Sequence, residues 1–469
     1  MRAWWWRCVY GVLWGRAAQV MATWLLGAYG AARGPHPVEG VLGLIERRYG
    51  FSGWPFYGYG WINLHVSRFA SRVRHEHRGM AAAPPRRGSP QPLKRVACVS
   101  GFAGALGFPK ELMAACPIEL VVVDVAFGGQ TAAYLRNHAV AYQSFDFDDD
   151  DGVEKAAAFI NGSGPDLVLN IGNKYQAFDL IDRLDAPCIA NFCAGSDLLH
   201  HPRVDIQYHS QPEADYFVRD HRMFCGTTAA AFDDRFVHDF TGFIDPRGLL
   251  DMTRCPWRDR EPLIVCHGSL YKFAAEPFMQ ALWSWLSDDR AVTLVLMGRD
   301  DGQALDAIMS SARRAGVAER VDYRGTFSAV RDSSGAVSSS GWFELVELLG
   351  RARLAPNPFP LGGGSSRFEA YALGAPAPHL GVRFDAASWG RPQPSICEIP
   401  TMLIPEGTAW TVAEYQSLGA RLLTDEPYAN ALAHEQVTRA RIFADADRWW
   451  REIGAGYDQW RGAAQPGSR

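Results

Sequence analysis

The nine cysteines of the 469-residue chain include no Cys-x-x-Cys pair and no repeated spacing. That argues against a zinc ribbon and against a disulfide framework, and fits reduced, buried thiols in a cytosolic protein. An excess of basic charge is missing as well. Lysine and arginine number 47 against 51 aspartates and glutamates, a formal charge of −4, so the chain carries no footprint for nucleic acid. A clean membrane span is also lacking. The tryptophan-rich opening MRAWWWRCVYGVLWGRAAQVMATWLLGAYGAARG carries Arg7 and Arg16, and Arg16 falls where the centre of a span of about 20 apolar residues would lie. Its aromatic and basic composition fits an interfacial or partner-docking helix. A contact of residues 1–34 with an inner-membrane surface or a partner is thus one reading, beside a plain packing helix and a start codon assigned too far upstream.

What is present is globular, with 48% apolar and 21% charged residues and length enough for two ordinary domains plus an extension. FSGWPFYGYGW, residues 51–61, reads as irregular structure packed on something larger, and MAAAPPRRGSPQPLKR, residues 80–95, as a linker. Strand and helix patterns then alternate. RVACVSGFAG, IELVVVDVAFGG, PDLVLNIGN and APCIANFCAG are apolar runs closing on Gly or Asn, with the amphipathic FPKELMAACP after the first. A second alternating run follows TRCPWRDREP: PLIVCHGSLYKF, EPFMQALWSWLSDD, AVTLVLMGRDD, QALDAIMSSARRAG, RVDYRGTF and WFELVELLGRA. The alternation predicts two parallel-sheet lobes with a cleft, ligands at the carboxyl ends of the strands, and turns at Gly101, Gly128, Gly172 and Gly195 lining one rim. SAVRDSSGAVSSSG, residues 328–341, has low complexity and no periodicity and is expected to be a solvated insertion.

The stretch PFPLGGGSSRFEAYALGAP carries the chemistry. Gly362, Gly363 and Gly364 permit close backbone approach, Ser365 and Ser366 sit near the first turn of a helix, and unpaired amides there attract an anion, best a phosphate. The bland alternative makes Ser365 a plain helix cap. Glu369, one turn further on, would repel a phosphate but accept both hydroxyls of a ribose, and phosphate with ribose describes a nucleotide. A solvated glutamate is the alternative. Lys272 follows the strand PLIVCHGSL and is placed to neutralise charge on a leaving diphosphate, against the alternative of a surface lysine.

VCHGSLYKF, LMGRDD, VDYRGTF and PFPLGGGSSRFEAYALGAP together resemble the nucleotide-binding lobe of two-lobed (GT-B type) glycosyltransferases. They are most similar to the O-GlcNAc transferase family and its bacterial protein-glycosylating relatives, over about a third of the chain. The resemblance implies an α/β fold of two facing Rossmann-like lobes with an interlobe cleft. It implies a hexosyltransferase-type enzyme with a UDP-sugar donor on the second lobe, an acceptor (protein, small molecule or glycan) mainly on the first, and no cofactor beyond the nucleotide sugar. Lys272 would contact the donor diphosphate, Ser365 and Ser366 the phosphate at the helix end, and Glu369 the ribose. Gly364 stands where eukaryotic members carry a histidine, which leaves the sugar and part of the phosphate contact open. Leu361 stands where retaining relatives carry a glutamate, which favours inversion. No tetratricopeptide-like repeat precedes the lobes, so a protein acceptor is left open too.

An inverting transfer needs a base from the first lobe. NFCAGSDLLHHPRVDIQYHSQPEADYF offers Asp197, better placed after a strand-end glycine, and His200, His201 and His209, with the better intrinsic pKa; for each, a turn-capping role is the alternative. FDFDDDDG, residues 145–152, admits the Asp-x-Asp metal site of single-lobed transferases, but such a run of like charges before the helical VEKAAAFI reads as a solvated turn, and no metal is expected. The ending ANALAHEQVTRARIFADADRWWREIGAGYDQW reads as two amphipathic helices with Trp449, Trp450 and Trp460 as packing anchors, and the resemblance implies that the last of them crosses back to the first lobe. The expected organisation is an aromatic-rich N-terminal extension and linker over 1–92, an acceptor lobe over 93–255, a nucleotide-sugar lobe over 256–430, and closing helices over 431–469. An epimerase of the same fold and a catalytically inactive nucleotide-binding protein are the rival functions, since one fold hosts them all.

Overall fold

The computed structural model describes residues 91–100, 110–125, 132–145, 150–171, 180–192, 203–209, 237–239, 248–300, 304–331, 337–359, 362–381 and 404–464. The aromatic opening and most of the linker lie outside them.

Short apolar runs become strands because both faces find cover. In β1 (Arg95–Ser100), Val96 and Cys98 enter one core cluster while Ala97 and Val99 enter another on the opposite face, the pattern of a parallel sheet buried on both sides. β2 (Glu119–Val125), β3 (Ala141–Phe145), β4 (Leu167–Ile171), β5 (Cys188–Phe192), β6 (Ile206–His209) and β7 (Val237–Asp239) complete an all-parallel sheet in the order β3-β2-β1-β4-β5-β6-β7. Helices α1 (Lys110–Ala114), α2 (Ala132–Asn137) and α3 (Asp150–Ser163) fall between its strands. Asp151 of the acidic run sits in the first turn of α3, paired with Lys155 at 2.5 Å on the exposed side. Across β4, β5 and β6 the buried amides of Asn170, Asn191 and Gln207 stand in register and hydrogen-bond in sequence at 2.8 and 3.0 Å. A slip of one residue would leave those amides unpaired in the core, which pins the register.

The second sheet is smaller. β8 (Glu261–His267), α4 (Glu276–Asp288), β9 (Thr293–Met297), α5 (Ala304–Arg314) and β10 (Val321–Tyr323) run outward in one direction. The chain then returns through α6 (Trp342–Arg351) to β13 (Ala352–Leu354), which pairs with the other side of β8. The order β10-β9-β8-β13 therefore reverses at β8 and β13, and ligands of doubly wound sheets lie outside the carboxyl ends at that point. α7 (Gly364–Ala372) follows β13, and a short pair, β14 (His379–Leu380) with β15 (Thr408–Ala409), lies beyond it.

Residues 328–341 depart from expectation. Ser328–Arg331 and Val337–Ser340 form an antiparallel hairpin, β11 and β12, with Ser328 opposite Ser340. The segment carries no apolar–polar alternation, so its composition offers no strand signal. The described residues also show that α9 (Glu426–Phe443), which follows α8 (Val412–Thr424), runs unbroken through residue 430.

The last helix, α10 (Ala446–Ala464), returns to the first sheet: Trp449, Trp450, Ile453, Tyr457 and Trp460 join the cluster that contains Val96 and Leu169. The Trp450 indole donates to the Leu112 carbonyl at 2.9 Å, and the Tyr208 hydroxyl donates to the Ile453 carbonyl at 2.6 Å. Among the described residues, no helix is long and apolar enough to cross a membrane.

One buried arginine closes the second lobe. Arg260 donates to the carbonyls of Cys255, Leu349, Ala352 and Leu373 at 2.8 to 3.3 Å, tying the entry to β8 to the ends of α6 and α7. Arg260→Met keeps the bulk but leaves these acceptors without a donor, and is expected to cost about 3 kcal/mol in urea denaturation.

Candidate functional site

Three segments meet at the carboxyl edge of the second sheet. The first is the end of β8. His267 closes the strand, Gly268 donates its N–H to the Met297 carbonyl at 3.0 Å, and a 3-10 turn, Leu270–Phe273, carries Lys272 outward. The second is the segment after β13. Asn357 is buried and accepts the Gly363 N–H on its Oδ1 at 2.9 Å, while Phe359 is buried in the core on the α4 side of the sheet. The glycine loop is therefore held before it opens into the third segment, α7.

The glycines answer a steric demand. A Cβ on Gly363 would stand 1.9 Å from the Ser366 hydroxyl oxygen, so only glycine lets that hydroxyl fold back over the helix start. Gly363 is itself the N-cap residue, with no side-chain cap bond, and Gly364 and Ser365 are the first two helical residues. Ser365 is thus not the cap of a flexible loop. The first-turn amides of a helix have no acceptor within it and point at whatever lies beyond the end.

Lys272 reaches this loop. Its Nζ is 3.4 Å from the Gly362 carbonyl, and the side chain is part-buried rather than free on the surface. Ser366 and Glu369 lie three residues apart on one face of α7, turned towards the end of β8. The Ser366 hydroxyl lies 3.9 Å from where a Cβ on Gly268 would stand, and Glu369 Oε2 is 3.1 Å from His267 Nε2, both side chains only 5% exposed. Glu369 is therefore no solvated glutamate. The sequence marks neither His267 nor Asn357: a histidine closing an apolar strand and an asparagine between two prolines carry no spacing signal.

The opposite face of α7 is fixed by a buried polar pair. The Tyr371 hydroxyl lies 2.8 Å from His379 Nε2, with Gln436 of α9 beside them accepting from and donating to the Ala377 backbone. Burial, reinforced by the nearby Arg367 charge, holds the His379 imidazole well below its usual range, and burial pushes Tyr371 up to about 12. The folded state thus keeps His379 neutral where an unfolded chain, with a pKa of about 6.5, takes up a proton. Above that pH the contribution is fully present; below it stability falls as pH falls. The melting temperature is expected to drop more steeply between pH 7 and 5 in the native chain than in His379→Gln, whose amide still bonds Tyr371 without titrating.

Of the candidate bases, His209 alone falls among the described residues. His209 is the last residue of β6, in register with Asp239 of β7, at the carboxyl edge of the first sheet. Asp197, His200 and His201 lie outside the described residues, as do Leu361 and the turn glycines at 101, 128, 172 and 195.

Two solved structures have the same architecture. A mutant O-GlcNAc transferase from Thermobaculum terrenum matches with a TM-score of 0.55 at 14% identity, over 85% of this chain and 74% of that one. A glycosyltransferase from Rickettsia africae matches with a TM-score of 0.53 at 8% identity, over 79% of this chain and 99% of that one. The chain has the two-lobed, GT-B type fold. At such identities the likeness is one of fold, which by itself assigns no chemistry. No protein-family model and no curated protein matches the chain. In GT-B terms the cluster of Lys272, Gly362, Gly363, Ser366 and Glu369 lies on the second lobe, at the reversal point of its sheet.

Proposed function

We propose that the chain is a hexosyltransferase-type glycosyltransferase that draws its sugar from a UDP-linked donor, with inversion at the anomeric carbon and without a metal ion. The observation that carries this reading is the meeting of Lys272 with the loop that opens α7: its Nζ is 3.4 Å from the Gly362 carbonyl. A cation there, added to the first-turn amides of α7 and the hydroxyls of Ser365 and Ser366, suits a diphosphate, and Glu369 suits the ribose on its sugar-facing side. Charge grows on the diphosphate as the glycosidic bond breaks. Lys272 and the helix end supply positive charge where it appears, which is the part a metal ion plays in other transferases. The acceptor, held by the first lobe, loses its proton to a base for which Asp197 and His209 are the candidates.

The test is UDP release from UDP-glucose, UDP-galactose and UDP-N-acetylglucosamine in excess chelator, with and without a mixture of peptide and glycan acceptors, the product anomer being read by proton NMR. Acceptor-dependent release that survives the chelator and yields the inverted anomer supports the proposal. Loss of activity in chelator removes the metal-free mechanism, and sugar epimerisation without an acceptor removes the transferase.

A further inference from the structure

We propose that His267 is a positioning residue: its ring N–H fixes the Glu369 carboxylate and so sets the preference for ribose over 2′-deoxyribose in the bound nucleotide, a role that rests on the nucleotide reading above. A glutamate on a helix has three rotatable bonds, and a carboxylate left to rotate forfeits much of its advantage in holding two neighbouring hydroxyls at once. Here the rotation is stopped from outside the helix. His267 Nε2 lies 3.1 Å from Glu369 Oε2 across 102 residues of sequence, so the carboxylate is aimed by a strand it shares no local structure with. The buried carboxylate needs donors, and His267 supplies one from a fixed direction.

The histidine is itself held. It is paired with Met297 in the β8–β9 ladder. Gly268, the next residue, packs its carbonyl against Gly298 so tightly that no side chain fits between them. The Phe327 ring stands 6.1 Å from the imidazole, tilted by 51°, on the approach to the β11–β12 hairpin. Strand pairing, the tight glycine contact and the neighbouring Phe327 ring restrict the imidazole beside Glu369. The proposal assigns the proton to Nε2, the ring nitrogen that faces the carboxylate.

Titration calorimetry with UDP and 2′-deoxy-UDP reads the effect as a ratio. The native chain is expected to bind UDP about 10- to 100-fold more tightly than 2′-deoxy-UDP, the worth of one charge-assisted hydrogen bond. In His267→Leu, which removes the donor, and His267→Asn, which stays polar but is too short, the ratio should fall to within about threefold of unity. His267→Gln places an amide N–H near the position of Nε2 and should keep the native ratio. If His267→Leu fails to fold, the Asn and Gln variants decide between them. A merely structural histidine would weaken both nucleotides alike and leave the ratio untouched, and an unchanged ratio in folded His267→Asn overturns the proposal. Equal binding of the two nucleotides by the native chain overturns it while leaving the nucleotide site intact. Failure to bind either nucleotide overturns both.

Discussion

Replacing Lys272 by methionine should lower the rate of sugar transfer by about 10²- to 10³-fold, the usual loss when one preorganised positive group is removed from a developing charge. The substitution keeps an unbranched stem of similar length in the 3-10 turn and removes the ammonium whose Nζ lies 3.4 Å from the Gly362 carbonyl. UDP affinity should fall much less than the rate, because the diphosphate carries more charge in the transition state than in the bound donor. Steady-state transfer and UDP titration on the same preparation separate the two. A methionine variant with native turnover would remove Lys272 from the chemistry and leave it a tether for the glycine loop.

Gly298→Ala should break the second lobe. Gly298 has φ near +155°, and a Cβ there would stand 1.6 Å from the Gly268 carbonyl oxygen and 2.6 Å from its carbon. No flexible side chain is available to yield, since the obstacle is backbone. The same residue donates its N–H to the Gly325 carbonyl at 2.8 Å and accepts the Tyr323 hydroxyl at 3.0 Å, so the ends of β8, β9 and β10 are joined through it. We expect a loss of about 4 kcal/mol or more, seen as a melting temperature lower by at least about 10 °C or as insoluble protein. Any soluble variant should also lose UDP binding, because Gly268 separates His267 from the turn that carries Lys272. A native melting temperature would show that the two strand ends are not in contact.

These effects explain why the sequence showed some parts of the site and hid others. The strands of both lobes and the helices α4, α5 and α6 announce themselves by apolar runs and amphipathic periods, which are local properties. The glycine loop and the position of Glu369 at one turn into the helix are local too, and so is the lysine after a strand end. The partners of these residues are not. His267 and Glu369 stand 102 positions apart, and Arg260 gathers carbonyls from segments up to 113 positions away; no period or spacing reports such pairings. The β11–β12 hairpin was hidden for a different reason. Its strands, Ser-Ala-Val-Arg and Val-Ser-Ser-Ser, show no apolar–polar alternation, and their antiparallel pairing is not a property of either stretch alone. The cap of α7 was hidden because a glycine fills the position that the adjoining serines favour in isolation.

Whether the start of α7 holds a uridine diphosphate is decided by calorimetric titration with UDP, CMP, GDP and ADP, on the native chain and on Ser366→Ala and Glu369→Ala. The expected result is selective binding of UDP, weakened by both substitutions. Failure of all four nucleotides to bind the native chain would remove the nucleotide site and leave the glycine loop a structural turn in a two-lobed fold.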